Sequence, residues 1–492
     1  MRAAERVLTL GVGGCFHWPA FKGLVPYQCM AGWFGRREPP VSPNEQLTVG
    51  RLRELVASGE VDTVVVALTD MQGRLQGKRC SARYFLDEVL AHGTEACNYL
   101  LAVDVDMTTV DGYAMTSWET GYGDFVLSPD LATLRRIPWQ EATALVLCDV
   151  QWHSGEPVAP SPRQVLRGQL DRLTGLGLTA HVGTELEFLV FRDTYEQAWD
   201  KRYHELSPAN QYNVDYSIAG TSRIEGLLRR IRNDMTGAGL YVESAKGECN
   251  LGQHEIAIRY SDALTSCDNH TLYKNGAKEI AAVEGVSLTF MAKYDAREGN
   301  SCHIHVSLRD DAGPAMPGAG EHGFSPVMEH FIAGQLACLP ELTYFLAPNI
   351  NSYKRFAAGS FAPTTIAWGR DNRTCALRVV GHSDSLRVEN RVPGGDVNPY
   401  LAVAAILAAG LHGISEELPL EPMLSGNAYA SGKPTVPTTL REAAGLLAGS
   451  KVAVEAFGQD VVDHYVNAAR VELAAFDAAI TDWERIRGFE RL

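Results

Sequence analysis

Long hydrophobic runs are absent from this sequence. Nowhere do apolar residues follow one another over the stretch of about 18 that a membrane-spanning helix needs, so we expect no membrane partner. The first 30 residues also lack the charged start, apolar centre and small-residue cleavage site of a secretory signal. From these two absences we expect a cytoplasmic protein.

Positive charge and paired cysteines are also scarce. The chain has 44 Lys and Arg against 59 Asp and Glu, a net charge of −15, which argues against nucleic-acid binding and leaves acids for a cation site. None of the ten cysteines forms a CxxC pair, so we interpret them as reduced thiols. A Gly-x-x-x-x-Gly-Lys-[Ser/Thr] phosphate loop is missing too. Any nucleotide would therefore be held by metal ions and arginines.

The length and the punctuation of the chain predict its organisation. A chain of 492 residues allows two to four domains at about 150 residues each. Residues 1–45 hold scattered Gly, Pro and aromatic residues without a period, and we interpret them as a poorly ordered extension. Residues 46–158 read as a small α/β domain. Pro160 and Pro162 mark a linker, and residues 159–492 are predicted to form a larger domain.

Three segments of the larger domain alternate between polar and apolar residues: 184–191, 302–308 and 385–392. This period of two is typical of antiparallel strands with one covered face and one solvated face. The predicted solvated face is unusual because it carries acids, imidazoles and guanidiniums, with few Lys, Thr or Ser residues.

Two pairs of carboxylates are candidates for a site. Glu185 and Glu187 lie two positions apart on a predicted strand, about 6.6 Å apart at Cβ, which suits two adjacent ions. Glu248 and Glu255 flank a turn-like Asn-Leu-Gly stretch and meet if that segment is a hairpin. Each pair alone is better explained as a solvated strand face or a charged hairpin.

The other candidates are two histidines and one further acid. His303 and His305 share one face of the second segment, and Glu389 lies between Arg387 and Arg391 on the third. Alone, they favour structural histidines and a surface strip of ion pairs. Together, five carboxylates and one or two imidazoles on shared faces would be costly to desolvate without cations. Such oxygen-rich sites suit Mg²⁺ or Mn²⁺, and two ions commonly hold nucleotide phosphates.

Six motifs that contain these residues occur in the order found in glutamine synthetases, and residues 50–492 resemble that family. The motifs are Gly183-Thr-Glu-Leu-Glu-Phe188, Gly247-Glu-Cys-Asn-Leu-Gly-Gln-His-Glu255, Gly299-Asn-Ser-Cys-His-Ile-His305, Asn351-Ser-Tyr-Lys-Arg355, Asn372-Arg373 with Arg378, and Arg387-Val-Glu-Asn-Arg391 with Asn398-Pro-Tyr400.

The resemblance implies a role for each candidate residue. The ligands of the first metal would be Glu187, Glu248 and Glu255, and those of the second Glu185, His303 and Glu389. Glutamate would be held by Gly299, Arg355 and Arg391. The ATP phosphates and the phosphoryl group in transfer would contact Arg373 and Arg378, and the rest of the nucleotide site would include His305, Ser307 and Arg387.

The resemblance also implies a fold and a reaction. The fold would be α+β, with an N-terminal β-grasp domain and a C-terminal catalytic domain of the glutamine synthetase and guanido kinase type on an antiparallel sheet. With two or more Mg²⁺ or Mn²⁺ ions, ATP would phosphorylate the γ-carboxylate of L-glutamate, and a nitrogen nucleophile would attack the acyl phosphate. Arg355 and Arg373 would be catalytic. The implied assembly is a dodecamer of two hexameric rings, with active sites between subunits.

The sequence departs from the ammonia-using members at the nucleophile. Those enzymes carry a Glu six residues beyond the Arg of Asn-Ser-Tyr-Lys-Arg, and here that position is Phe361, in Gly-Ser-Phe-Ala-Pro. A benzyl group cannot accept a proton, but it offers an apolar wall or a π face to an amine. Family branches with this segment resemble γ-glutamyl–amine ligases, so we predict that Phe361 selects an organic amine such as ethanolamine or a polyamine. Asp111 is the nearest match to the small-domain acid that binds ammonium and would also be catalytic.

Three alternatives stay open. The protein could still be an ammonia-using glutamine synthetase. A non-catalytic regulatory homologue would not need the full set of metal ligands and arginines, and a guanido phosphotransferase would not need residues 351–355. Tyr429 lies near the tyrosine that bacterial glutamine synthetases adenylylate, but the flanking motif is missing, so no adenylylation is expected.

Overall fold

The computed structural model describes residues 47–492. The expectation for residues 1–45 lies outside the described residues. Several strands follow one another directly, and only helices occur after residue 390 of the described chain, which fits the α+β prediction. The strands are β1 Thr63–Thr69, β2 Leu75–Ser81, β3 Thr94–Cys97, β4 Asp124–Pro129, β5 Arg135–Arg136, β6 Thr143–Gln151, β7 Thr179–Phe191, β8 Val242–Gly247, β9 Gln253–Ile258, β10 Ser261–Asp262, β11 Ser287–Thr289, β12 Cys302–Asp310, β13 Gly313–Pro314, β14 Trp368–Arg370, β15 Leu377–Val380 and β16 Arg387–Asn390.

Most helices begin at residues whose side chains cap the free backbone amides of the first turn. Thr48, Asp262 and Asn398 each accept such a hydrogen bond, and Pro399 follows Asn398 at the first helical position. The helices are α1 Val49–Ala57, α2 Ala82–Tyr84, α3 Leu90–His92, α4 Pro162–Gly175, α5 Tyr195–Asp200, α6 Ile218–Thr221, α7 Glu225–Gly237, α8 Ala263–Val283, α9 Pro326–Leu346, α10 Pro399–Ser415, α11 Leu440–Ala448, α12 Lys451–Phe457, α13 Gln459–Ala478 and α14 Asp482–Gly488.

Two sheets organise the described chain. The smaller has the order β2-β1-β6-β4-β3, with β5 beside β6 and a parallel pairing of β1 with β6. The larger has the order β14-β15-β16-β12-β7-β9-β8. Its pairs along this path are antiparallel except β14 with β15, so the predicted antiparallel sheet is present with one parallel edge.

The apolar faces of the two sheets build the core. Leu186, Phe188 and Val190 of β7 are each at most 1% exposed, in the alternation that the sequence predicts. They pack in a cluster with α4, α8, α9 and α10, and this cluster extends to Leu145 and Leu147 of the smaller sheet. The two sheets therefore share apolar contacts. Among residues 47–492, no helix combines the length and hydrophobicity needed to span a bilayer.

Most of the polar face of the larger sheet is covered, with the Glu185 side chain still 39% exposed, so the expectation of a solvated face is wrong for its centre. Glu187 is 7% exposed and Glu389 is fully buried. The covering comes from segments far away in sequence, including the turn around Ser301 and the arginines that follow α9, which a local alternation pattern cannot report. Buried carboxylates need hydrogen bonds or cations, and this requirement directs attention to that face.

Candidate active site

Cross-strand pairing in the larger sheet brings the polar segments together. His303 of β12 lies opposite Glu185 of β7, and His305 lies opposite Glu389 of β16. Glu389 in turn lies opposite Arg378 of β15. Because directly opposed residues on one face have Cβ atoms about 5 Å apart, this register alone creates a continuous row of acids, imidazoles and guanidiniums.

The first carboxylate cluster lies where β7 meets the predicted hairpin. Strands β8 and β9 are antiparallel neighbours, and Glu255 of β9 lies opposite Glu187 of β7. Glu248 directly follows β8. One carboxylate oxygen from each of Glu187, Glu248 and Glu255 lies within 4.8 Å of the others. The sequence prediction that these three residues meet is therefore satisfied by the geometry.

The electrostatics of this cluster fit a bound cation. Burial and the neighbouring Glu248 raise the pKa of Glu187 to about 8. Burial and the adjacent carboxylates raise the pKa of Glu255 well above its ordinary value, and burial also raises the pKa of Glu248. Three carboxylates that resist ionisation through burial and mutual repulsion are relieved by a divalent ion, which favours their charged forms.

Neighbouring side chains orient this cluster, and the sequence analysis did not single them out. Gln253 Nε2 donates to Glu187 Oε2 at 3.1 Å and to the Gly299 carbonyl at 2.9 Å. The Ser301 amide donates to the same Glu187 oxygen at 2.8 Å. Lys246 contacts the Glu248 carboxylate and supplies positive charge to it. Gln253 lies within the motif at residues 247–255. Because the sequence was searched for metal-ligating side chains, this amide was not selected.

The second cluster combines carboxylates with imidazoles. Ligand atoms of Glu185, His305 and Glu389 lie within 4.8 Å of one another. His303 Nδ1 lies 3.2 Å from Glu185 and 3.6 Å from Glu389, so both histidines reach the same acids. Burial and the charge of Arg391 lower the pKa of His303 to about 4, which keeps the ring neutral. Its buried Nε2 has no hydrogen-bond partner among the described residues, as a ligand nitrogen would require.

Two buried arginines lie beside these clusters. Arg355, which ends a 3₁₀ turn at Ile350–Arg355, donates to Ser301 Oγ at 3.2 Å and to the Val392 carbonyl. Arg391 is paired with Glu389. A Cβ on Gly299 would lie 2.2 Å from the Ala292 carbonyl and 2.9 Å from Arg355 Cγ, so glycine is required there for Arg355 to pass.

Some of the residues predicted to bind the nucleotide contact the row of acids, imidazoles and guanidiniums on the larger sheet, and others do not. Arg378 Nη1 donates to Glu389 Oε2 at 2.9 Å, and Arg387 Nε approaches His305 Nδ1 at 3.3 Å. Ser307 continues the same face of β12. Arg373 is exposed in the turn between β14 and β15 and forms no ion pair with the clusters in the described chain.

The two residues predicted to handle the nucleophile lie apart from the metal clusters. Phe361 is 55% exposed with a φ of 57°, and its carbonyl accepts a hydrogen bond from Arg391 at 3.4 Å. Asp111 is exposed, and its carbonyl accepts from Asn467 of α13 at 3.0 Å. No hydrogen bond or ion pair joins Asp111 to either cluster within residues 47–492 of one chain.

Comparison with known protein families identifies the family to which the chain with this site belongs. A family model described as glutamine synthetase, catalytic domain, matches residues 159–487. The chain belongs to the glutamine synthetase family. Glutamine synthetase-like ligases use ATP and divalent metal ions, and the two carboxylate clusters offer the donor chemistry for such ions. The resemblance and the α+β fold inferred from the sequence are confirmed.

Among curated glutamine synthetase relatives, several are named for amine substrates. The chain is 66% identical to the gamma-glutamylethanolamide synthetase GlnA4 of Streptomyces coelicolor, over 93% of this chain and 99% of that one. It is 38% identical to a glutamate–isopropylamine ligase of Pseudomonas sp, over 91% and 99% of the two chains. A solved structure, the GmaS/ADP complex, superposes with a TM-score of 0.78 at 28% identity, covering 89% of this chain and 99% of that one.

Proposed function

We propose that this protein is an ATP-dependent ligase that joins the γ-carboxylate of L-glutamate to an organic amine of the ethanolamine or polyamine class. The observation that carries the proposal is the 66% identity, over almost the full length of both chains, to a gamma-glutamylethanolamide synthetase. Phe361, at the position where the ammonia-using members carry a Glu, supports an organic amine over ammonia.

The carboxylate clusters would hold the divalent ions. Glu187, Glu248 and Glu255 are the proposed ligands of one ion, and Glu185, His303 and Glu389 those of a second. Both histidines reach Glu185, since His303 Nδ1 lies 3.2 Å and His305 Nε2 lies 3.0 Å from its oxygens. Such ions, Mg²⁺ or Mn²⁺, neutralise phosphate charge in phosphoryl transfer.

The arginines would bind the two anionic substrates. Arg355 and Arg391, with the backbone at Gly299, are proposed to hold the carboxylates of glutamate. Both guanidiniums retain a buried Nε–H without a hydrogen-bond partner among the described residues, which leaves a donor for a substrate. Arg373, Arg378 and Arg387, with His305 and Ser307, would form the nucleotide side. The exposure of Arg373 leaves its guanidinium available to incoming phosphate.

Two bond exchanges complete the proposed reaction. A γ-carboxylate oxygen of glutamate attacks the γ-phosphorus of ATP, the bond from that phosphorus to the bridging oxygen breaks, and ADP leaves. The amine nitrogen then attacks the acyl carbon, phosphate leaves with the bonding pair, and the proton that the nitrogen loses ends on the released phosphate. Arg373 and Arg355 would stabilise the transferring charge. Asp111, supplied by a neighbouring subunit, would receive the amine.

An amine panel tests the proposed function directly. ADP release is measured with saturating ATP and glutamate while ammonia, methylamine, ethanolamine, putrescine and spermidine are varied in turn. We expect kcat/KM to be highest for an organic amine and turnover to require glutamate. Ammonia as the best substrate would contradict the proposal, and ATP turnover without glutamate would point to another reaction class.

Self-association and domain division complete the proposal. We propose a division at residue 158/159 and a dodecamer of two rings with active sites between subunits. Exposed apolar side chains at the end of the chain support self-association: Ile480, Trp483, Ile486, Phe489 and Leu492 are each at least 66% exposed. Light scattering of the full chain and of a chain shortened after residue 479 tests this. An unchanged mass would contradict a role for that end.

A further inference from the structure

The turn that carries Phe361 is strained. Its φ of 57° lies in the left-handed region, where a bulky side chain is rarely found. Such a conformation persists only when the surrounding structure over-determines it. The contacts on either side of Phe361 therefore determine the position of its benzyl group.

Hydrogen bonds to backbone carbonyls fix both ends of the turn. On one side, Ser360 Oγ donates to the Ala357 carbonyl at 2.6 Å. On the other side, the Ile366 amide donates to Pro434 O at 2.9 Å, and the Val436 amide donates to Thr364 O at 3.0 Å. These hydrogen bonds lie on both sides of the strained residue but do not involve it.

Two side chains hold the peptide groups between those anchors. Arg391 donates to the Phe361 carbonyl at 3.4 Å, and Tyr429 Oη donates to the next carbonyl, that of Ala362, at 3.0 Å. Ala362 is 3% exposed, and the Pro363 that follows it restricts the backbone conformation of Ala362. Tyr429 belongs to a 3₁₀ turn at Ala428–Ala430, capped by Asn427. The shorter bond therefore comes from a rigid neighbouring turn.

We propose that Tyr429 is a positioning residue for amine selection, because its hydroxyl holds the Phe361 turn in the left-handed conformation in which the Phe361 carbonyl accepts from Arg391 of the proposed glutamate site. This inference rests on the proposed function. Without the hydroxyl, the turn relaxes toward ordinary φ values and the Phe361 carbonyl moves away from Arg391. The amine would then lose its apolar wall, while the glutamate and nucleotide sides of the site stay intact.

The kinetic test is Tyr429→Phe, which keeps the ring and removes the hydroxyl. We expect KM for ethanolamine to rise about fivefold, with KM for glutamate and for ATP within about twofold of the unchanged enzyme. The ratio of ethanolamine to ammonia use should fall by a similar factor. An unchanged amine KM, or an equal rise in all three KM values, would overturn the proposal.

Tyr195→Phe is the matched control. Tyr195 Oη also donates to a backbone carbonyl, that of Leu288, at 3.0 Å, and it belongs to none of the proposed binding groups. Its loss should leave the ratio of ethanolamine to ammonia use unchanged. If both variants shift that ratio equally, the effect is a general consequence of losing a hydroxyl and the proposal is wrong.

Hydrogen exchange separates this proposal from the proposed function. Exchange of the peptide covering residues 356–366 should be about fivefold faster in Tyr429→Phe, and unchanged exchange would overturn the positioning role. With Phe361→Gly, which adopts the left-handed conformation without strain, the second change Tyr429→Phe should add little. If the amine panel shows ammonia as the best substrate, the proposed function falls, and this exchange measurement still decides whether Tyr429 holds the turn.

Discussion

At the scale of single residues, the side chain at position 361 determines whether the nitrogen nucleophile meets a proton acceptor or an apolar group. The resemblance implies a carboxylate at this position in the ammonia-using members, whereas Phe361 has a half-exposed benzyl group and a backbone carbonyl that accepts from Arg391. A carboxylate can bind ammonium and take up its proton, and a ring can do neither. A benzyl wall instead favours an amine that brings carbon atoms with it.

We predict that Phe361→Glu changes the preferred nucleophile. The ratio of ammonia to ethanolamine kcat/KM should rise about 10- to 100-fold, since a positioned carboxylate supplies both charge and a base. Phe361→Leu is the control because it keeps an apolar group with the same backbone strain, and it should leave ammonia use low. Equal ratios in the two variants would mean that charge at this position does not matter.

At the scale of elements, the β8–β9 hairpin and β7 together make a charged cavity. Neither element is sufficient, since Glu187 comes from β7 while Glu248 and Glu255 come from the hairpin. The raised pKa values of these three residues show that the fold opposes their ionisation when no cation is bound. Metal binding and folding should therefore be coupled.

We predict that Mg²⁺ or Mn²⁺ raises the melting temperature of the metal-free protein by several degrees. A ligand at 100 times its Kd contributes about 2.7 kcal/mol. Glu187→Gln should abolish most of this increase, yet leave the metal-free protein at least as stable, because it removes the cost of burying an ionisable carboxyl whose pKa is raised. Thermal unfolding with and without metal checks both effects.

The control for this prediction is Glu243→Gln. Glu243 is exposed on the same hairpin, in β8, and its substitution should preserve the metal-dependent increase. If Glu187→Gln retains the full increase, the first cluster is not where the stabilising ion binds.

At the scale of the whole molecule, one arginine ties the two sheets together. Arg163 of α4 is 3% exposed and pairs with Asp130 at 2.7 Å, Asp149 at 2.5 Å and Asp268 at 3.0 Å. Asp149 lies in β6 and Asp130 directly follows β4 of the smaller sheet, whereas Asp268 lies on α8 and also accepts from Tyr400 of α10 at 2.6 Å. Removal of Arg163 leaves the buried Asp268 without its guanidinium partner, whereas Asp130 and Asp149 each keep an ion pair with Arg167 at 3.0 Å.

We predict that Arg163→Met destabilises the contact between the sheets by about 3–5 kcal/mol, as expected when one partner of a buried ion pair is removed. Exchange of amides in Thr143–Gln151 should accelerate before that of β7. Arg51→Met, which breaks an exposed pair with Glu54, should cost under about 1 kcal/mol. Similar losses in the two variants would show that Arg163 has no special role.

The sequence alone determined which residue types could form the site and which face of each strand carries them. Alternation of polar and apolar residues is a local property with a period of two, so it identified the segments of β7, β12 and β16 and the side on which their acids and histidines lie. The ordered motifs then indicated the family. The hairpin at Glu248 and Glu255 could also be predicted, because its turn is encoded within a few residues.

Only the tertiary structure decided which of these residues touch. Strand order and register depend on pairing across more than 80 residues, as between His305 and Glu389, and no local pattern encodes that choice. The burial of the polar face, the support of Glu187 by Gln253 and the bond from Tyr429 to Ala362 arise in the same way. Each requires segments distant in sequence to pack against one sheet, because the shared apolar core fixes their positions and the polar contacts follow.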